Sequence, residues 1–208
     1  MTARFLPRNN YFGSGTTRKR PDFTEFVDEF HVIGKATTEP ECRAVIKEVV
    51  DLTLSLLEVP NGYRAFLVPG SDTGAVEMFI WAVLGERLVD VFHNEAFSSQ
   101  WAEDCKELGI KMNSYKADYG KLPDFSRFDK KNDCIVTWNG TTSGVRVPDG
   151  DWIPDDREGI VICDATSAVF AVKMPWSKLD VVTFSWQKAL GGEAAHGTVI
   201  LSRGPWQG

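Results

Sequence analysis

Apolar side chains recur along this sequence with two different periods, and the points where one period gives way to the other divide the chain into elements. Over 41–58, Val45, Val49, Leu52 and Leu56 repeat at helical spacing, with Pro40 at a first-turn position and Pro60 stopping the run, which predicts a helix. A short apolar run at 64–68 reads as a buried strand. Pro69-Gly70 breaks it, and Ser71-Asp72-Thr73 offers capping side chains to an apolar helix that runs to Leu84. The alternation repeats as a strand over 87–92, a helix over 98–108 and a strand over 110–115, so two strand–helix units in succession predict a parallel sheet with helical crossovers. Later runs at 134–137, 159–163, 179–184 and 198–201 are short, β-branched and bounded by turn residues, like strands covered on both faces. The expected fold class is α/β: a mixed, mostly parallel sheet of about seven strands with flanking helices. Ahead of it, 1–40 shows no sustained period and holds turn formers such as Gly13-Ser14-Gly15 and Arg20-Pro21, so the chain divides into an N-terminal arm, 1–40, and one domain, 41–208. The charged stretch 124–133 reads as a solvated loop or short helix.

Composition narrows the class. With 208 residues, 43% of them hydrophobic and 25% charged, the chain has enough apolar material for a real core and is not a disordered or fibrous sequence. A net charge of -6 lacks the basic footprint of a nucleic-acid binder. Cys42, Cys105, Cys134 and Cys163 stand far apart with no C-x-x-C pair, which points to neither a zinc site nor a disulfide framework and fits a reducing compartment. The first residues lack a secretory apolar stretch, and the longest apolar run, 76–84 with Glu77 inside it, falls well short of the roughly 20 residues that span a bilayer. The expectation is a soluble, cytoplasmic protein without metal, membrane or nucleic-acid partners.

In open α/β sheets ligands gather beyond the carboxyl ends of strands, so the residues just after each apolar run are the informative ones. Ser71-Asp72-Thr73 places amides and hydroxyls at a helix start suited to an anionic group, or simply caps that helix. Asp164 follows four apolar residues, where a carboxylate is costly unless a cationic partner compensates it; the plainer reading is a cap on the turn through Thr166. Lys188 stands past another apolar run and before Gly191-Gly192. Taken alone it reads as a solvated lysine. Together these residues suit pyridoxal phosphate, which needs a lysine to form a Schiff base, a carboxylate to keep its pyridine nitrogen protonated, an anion site for its phosphate and often an aromatic face on its ring. Lys188, Asp164, the 70–75 loop and Phe97 meet these four needs.

Four motifs, Pro69-Gly-Ser-Asp-Thr-Gly-Ala-Val-Glu77, Trp138-Asn-Gly-Thr-Thr-Ser-Gly-Val-Arg146, Cys163-Asp-Ala-Thr-Ser167 and Phe184-Ser-Trp-Gln-Lys-Ala-Leu-Gly-Gly-Glu-Ala-Ala-His-Gly197, closely resemble the phosphoserine aminotransferase family, which has the fold-type I architecture of pyridoxal-phosphate enzymes. The resemblance runs in order through nearly the whole chain. It implies that Lys188 carries the cofactor and later moves the α-proton, and that Asp164 partners the pyridinium nitrogen. It further implies that Asp72 and Thr73 lie in the phosphate-holding loop with Gln187 near that phosphate, and that Thr141 stands beside the ring hydroxyl. Phe97 is the implied stacking aromatic, with Trp101 as its rival. The implied reaction is ping-pong amino transfer between glutamate and 3-phosphohydroxypyruvate, an amino-acid and a 2-oxo-acid substrate, in a homodimer that serves serine biosynthesis.

Two departures accompany the resemblance. Where the family carries a Ser-His-Arg type segment, this chain reads Glu29-Phe-His-Val-Ile-Gly-Lys35, leaving His31 and the point charge of Lys35 in place of a bidentate arginine. The family also has a C-terminal small domain that holds the substrate carboxylate, and these 208 residues correspond to the cofactor-binding large domain without it. The competing expectations are a domain of this fold that turns nothing over, and another fold-type I enzyme such as a desulfurase, although none of the four cysteines has an activating neighbour in sequence.

Overall fold

The computed structural model describes residues 32–203, together with positions 16, 19, 21–23, 25 and 27 ahead of them. Most of the expected arm, and His31 with it, lies outside the described residues. The elements in chain order are α1 (Pro40–Leu56), β1 (Arg64–Pro69), α2 (Ser71–Val83), β2 (Val89–His93), α3 (Ala96–Glu107), β3 (Met112–Lys116), β4 (Asp133–Thr137), β5 (Val161–Asp164), β6 (Val181–Ser185) and β7 (His196–Leu201). The strands form one seven-stranded sheet in the order β1-β7-β6-β5-β4-β2-β3. Neighbours from β3 to β6 pair in parallel. β7 runs antiparallel to both β6 and β1, so it alone opposes the rest. This is the mixed, mostly parallel sheet that the periodicity predicts. The charged 124–133 stretch resolves into a single 3-10 turn at Phe125–Arg127 and the start of β4.

Because successive strand residues point to opposite faces, the sheet carries two cores. Val89, Val91, Ile135, Ile162, Val181 and Val199 face Ala75, Val76, Phe79 and Ile80 of α2 and Trp101, Ala102 and Cys105 of α3. Phe92, Cys134, Val136, Cys163, Val182, Phe184 and Ile200 face the other way, against Trp138, Ile153, Trp176 and Leu179 from the long connections and Leu54 and Leu57 at the end of α1. Strands walled on both sides in this way are mainly apolar, and β2, β5 and β6 are buried at every position, Asp90 of β2 being satisfied by Asn113, Asn132 and the Asp129 N–H.

α1 forms where the sequence places it but turns a different stripe inward. Cys42 and Thr53 are its buried residues, with Val45 and Val49 half-buried between them, while Leu52 and Leu56 of the expected face are 51% and 68% exposed. The 42-45-49-53 spacing is itself helical, so periodicity offered two neighbouring stripes and docking of the helix's end on the sheet chose between them. Strand β3 begins two residues later than expected because Ile110 still closes the helix, its N–H donating to the Cys105 carbonyl at 2.9 Å.

One buried ion pair ties the amino ends of the central strands together. Asp180, just before β6, accepts from Arg157 Nη2 at 2.9 Å, from Arg157 Nε at 3.2 Å and from the Val161 N–H of β5 at 2.9 Å. Both side chains are almost fully covered, at 11% and 10% exposure. Replacing Arg157 with alanine leaves the Asp180 carboxylate buried without its cation. The expected cost is about 3 kcal/mol, read as a melting temperature lower by roughly 10 °C for a domain of this size. An unchanged melting temperature would show that the pair contributes nothing net.

Candidate active site

The same alternation that builds the two cores puts polar side chains at one rim. On β5, Ile162 faces α2 and α3 and Cys163 faces away, so Asp164 points back toward the helices. By the same count Thr137 at the end of β4 and Thr183 and Ser185 at the end of β6 share that side. All four lie at carboxyl ends of parallel strands, around the amino end of α2.

Asp164 is held from several directions. Its Oδ1 accepts the Thr166 N–H at 3.0 Å and its Oδ2 accepts the Trp101 indole N–H at 3.3 Å, with the Thr137 hydroxyl 3.5 Å away. The turn cap and the buried carboxylate are thus one residue doing both. Trp101 is 2% exposed and lies under the rim as part of the floor. Phe97, one helical turn earlier on the same face of α3, is 40% exposed and has a ring free to meet a ligand. Glu95 caps α3 through the Ser98 N–H at 2.8 Å and accepts the Thr142 hydroxyl at 2.6 Å, tying the helix start to the loop that carries Thr141. Thr141 in turn shares a hydrogen bond with Ser167, three residues beyond Asp164.

Lys188 enters from the turn after β6, where the Gly191 N–H donates to the Lys188 carbonyl at 2.9 Å and Gly191 takes a φ of 63° that suits glycine. Burial lowers the Lys188 pKa, and the Asp164 charge opposes that lowering. The lysine and the aspartate, 24 positions apart in sequence, therefore act on each other at one rim. Lys35, by contrast, pairs with Glu41 at the start of α1.

The α2 amino end fits tightly against β7. A Cβ on Gly197 would lie 2.3 Å from the Ser71 carbonyl oxygen, so glycine is required for the approach. Ser71 itself takes a φ of 58°, a left-handed conformation that costs a non-glycine residue about 1 kcal/mol. Asp72 is buried beside Asp164, with the hydroxyls of Thr183 and Thr166 near it, and Thr73 is half-buried next to it. Burial, and then the Asp164 charge, push the Asp72 carboxyl well above the usual carboxylate range.

A test of fit to pyridoxal phosphate comes from polar atoms that are buried yet bonded to nothing. These include Asp72 Oδ1, Thr166 Oγ1, Thr183 Oγ1, Ser185 Oγ and Gln187 Oε1. Buried polar atoms are normally satisfied, and their concentration at one rim, beside an unsheathed aromatic ring and a helix amino end, suits a polar, anionic, planar ligand. Thr183 is absent from the sequence reading, and Thr166 and Ser185 stand in it without a role toward a ligand. Their signal was the interruption of apolar runs at every second position. Grooves of about 470 and 600 Å³ lie elsewhere, the first lined by Trp81, Arg87 and Lys111 and the second by Tyr63, Arg157 and Arg203, and none of the rim residues lines either.

No protein-family model matches the chain. Phosphoserine aminotransferase of Methanosarcina mazei is 49% identical over 201 residues, which is 95% of this chain and 54% of that protein. Over that span the chain is similar to phosphoserine aminotransferases. It spans about half the length of the curated relatives it matches. A phosphoserine aminotransferase from Cytophaga hutchinsonii superposes with a TM-score of 0.81 at 26% identity, covering 91% of this chain and 55% of that one. The structure of PLP-bound phosphoserine aminotransferase from Trichomonas vaginalis shares the fold with a TM-score of 0.77 at 19% identity, covering 91% and 57%.

The two aromatics separate in a stability measurement. Trp101→Phe removes a donor from a buried carboxylate and is expected to cost about 2 kcal/mol, whereas Phe97→Ala, at an exposed position, costs about 0.5 kcal/mol or less. Urea unfolding of both variants without ligand checks this, and equal costs would contradict the division between floor and open ring.

Proposed function

We propose that this chain is the cofactor-holding part of a pyridoxal-phosphate aminotransferase acting on L-glutamate and 3-phosphohydroxypyruvate, with O-phospho-L-serine and 2-oxoglutarate as products. What carries the reading is the meeting of a desolvated lysine and a fixed buried carboxylate at the carboxyl rim of the sheet, in a chain 49% identical to a phosphoserine aminotransferase. The same reading assigns a homodimer working in the cytoplasm in serine biosynthesis.

When bound, pyridoxal phosphate supplies a protonated ring that draws electrons from the substrate's α-carbon. The residues of this chain do the rest. Lys188, with its ammonium destabilised by burial, gives up its proton more readily than a solvated lysine and so serves both as the amine that attacks a carbonyl and as the base that takes the α-proton. Asp164, oriented by the Trp101 and Thr166 N–H groups, would hold the ring nitrogen. Phe97 offers a ring face. The amino end of α2, around Thr73, offers N–H groups to the phosphate, with the unpartnered Gln187 Oε1 close to the lysine in sequence.

Three of the four thiols speak against desulfurase chemistry. Burial pushes Cys105 up to about 12 and drives Cys134 and Cys163 well above the ordinary thiol range, which keeps them protonated and unreactive.

Pyridoxal phosphate added to the purified chain is expected to give a visible absorption band. Borohydride reduction should then fix the cofactor on Lys188 by mass spectrometry, with both signals lost in Lys188→Ala. Amino transfer from glutamate to 3-phosphohydroxypyruvate reads whether these 208 residues turn over by themselves. A band that survives in Lys188→Ala, or a label on another lysine, overturns the assignment.

A further inference from the structure

Asp72, placed by the resemblance in the phosphate-holding loop, has a carboxyl to which the proposed function gives no task. Asp72 is 6% exposed, it lies against Asp164 with Thr183 and Thr166 at its sides, and its Oδ1 is buried without a hydrogen-bond partner. The thiol of Cys163, one residue back on β5, points to the opposite face of the sheet and is pushed up by burial first and then by both aspartates. Lys188 faces Asp164. From β7 and β1 the neighbours on this side are Val199 and Val68, which bring no charge. Two carboxylates that close, with no cation on Asp72 among the described residues, cannot both be ionised; one must hold a proton.

We propose that Asp72 is a positioning residue that carries this proton, donates it in a hydrogen bond to Asp164, and so fixes the pair at a single negative charge. The assignment follows from the surroundings of each acid. Asp164 already accepts two N–H groups, which favour the charged form, and it feels the Lys188 ammonium; Asp72 has neither benefit. A neutral Asp72 also leaves the amino end of α2 without a like charge facing an anionic group. The service to the ring nitrogen rests on the function proposed above, whereas the sharing of the proton does not.

The sign of the pH dependence follows directly. Below about pH 4 the folded and unfolded chains both hold the Asp72 proton. Above that, only the folded chain holds it, so the stability it confers is lost as pH rises until the folded carboxyl is itself deprotonated. In Asp72→Asn this dependence disappears. The unfolding constant of the wild-type chain, divided by that of Asp72→Asn, is expected to rise with pH from about pH 4 upward, by up to about tenfold per pH unit. A flat or falling ratio overturns the shared proton. If Asp72→Asn does not fold, Asp164→Asn is compared with the wild-type chain instead: without the neighbouring charge the fall in stability with rising pH should end at a lower pH, and a fall that ends at the same pH overturns the proposal.

A second arm uses pyridoxal phosphate and reads its dissociation constant from the visible band. Asn donates a hydrogen bond as a protonated acid does and Ala cannot, so Asp72→Ala is expected to bind about tenfold more weakly or worse, and Asp72→Asn to recover most of that loss. Equal weakening in the two variants overturns the positioning role. No band in any variant, wild type included, sinks the proposed function and the service to the ring with it, while the stability ratio still decides the proton.

Discussion

A parallel strand covered on both faces can keep a polar side chain only at its ends, because anywhere else the group loses water and gains nothing in return. The organisation of this molecule follows from that constraint. β4 and β5 end on Thr137 and Asp164, β6 carries Thr183 level with Asp164 and ends on Ser185, and these four appear together on the side of α2 and α3. The strands fix which way each of them points, since a shift of one residue would carry the whole set to the opposite face. A binding rim is therefore built into the sheet's register and needs no separate device.

The rim is anchored from outside the sheet by α3, whose floor residue Trp101 donates to Asp164, and by Glu95, which ties the helix start to the 139–146 loop. It is closed from the other side by α2, pressed on β7 where Gly197 leaves room for the Ser71 carbonyl. The left-handed Ser71 and the buried, elevated Asp72 show that this junction is not the arrangement of lowest local energy. Strain and desolvated acids gathered at one place are what a site built for a ligand looks like, and the core elsewhere shows how well the same chain packs where nothing has to bind.

The opposite end of the sheet works differently. There the Arg157–Asp180 pair satisfies its own charges and also caps the Val161 N–H, so charge is neutralised within the protein. At the carboxyl rim the polar groups stay incomplete, with five buried atoms lacking a hydrogen-bond partner among the described residues. One end of the strands is finished and the other is left open to chemistry.

By itself the sequence determined the α/β class, the number of strands and their mostly parallel sense, because helical and strand periods are local properties that survive any packing. The motifs around Asp164 and Lys188 were legible for the same reason: a charged residue after an apolar run stands out wherever it occurs. Tertiary structure alone decided which stripe of α1 turned inward, whether Phe97 or Trp101 kept an open ring, and that Asp72 lies against Asp164 rather than out at the helix start. Each of these depends on how far apart two elements come to rest. A chain's local pattern limits that distance but does not set it, since packing between elements remote in sequence has the last word.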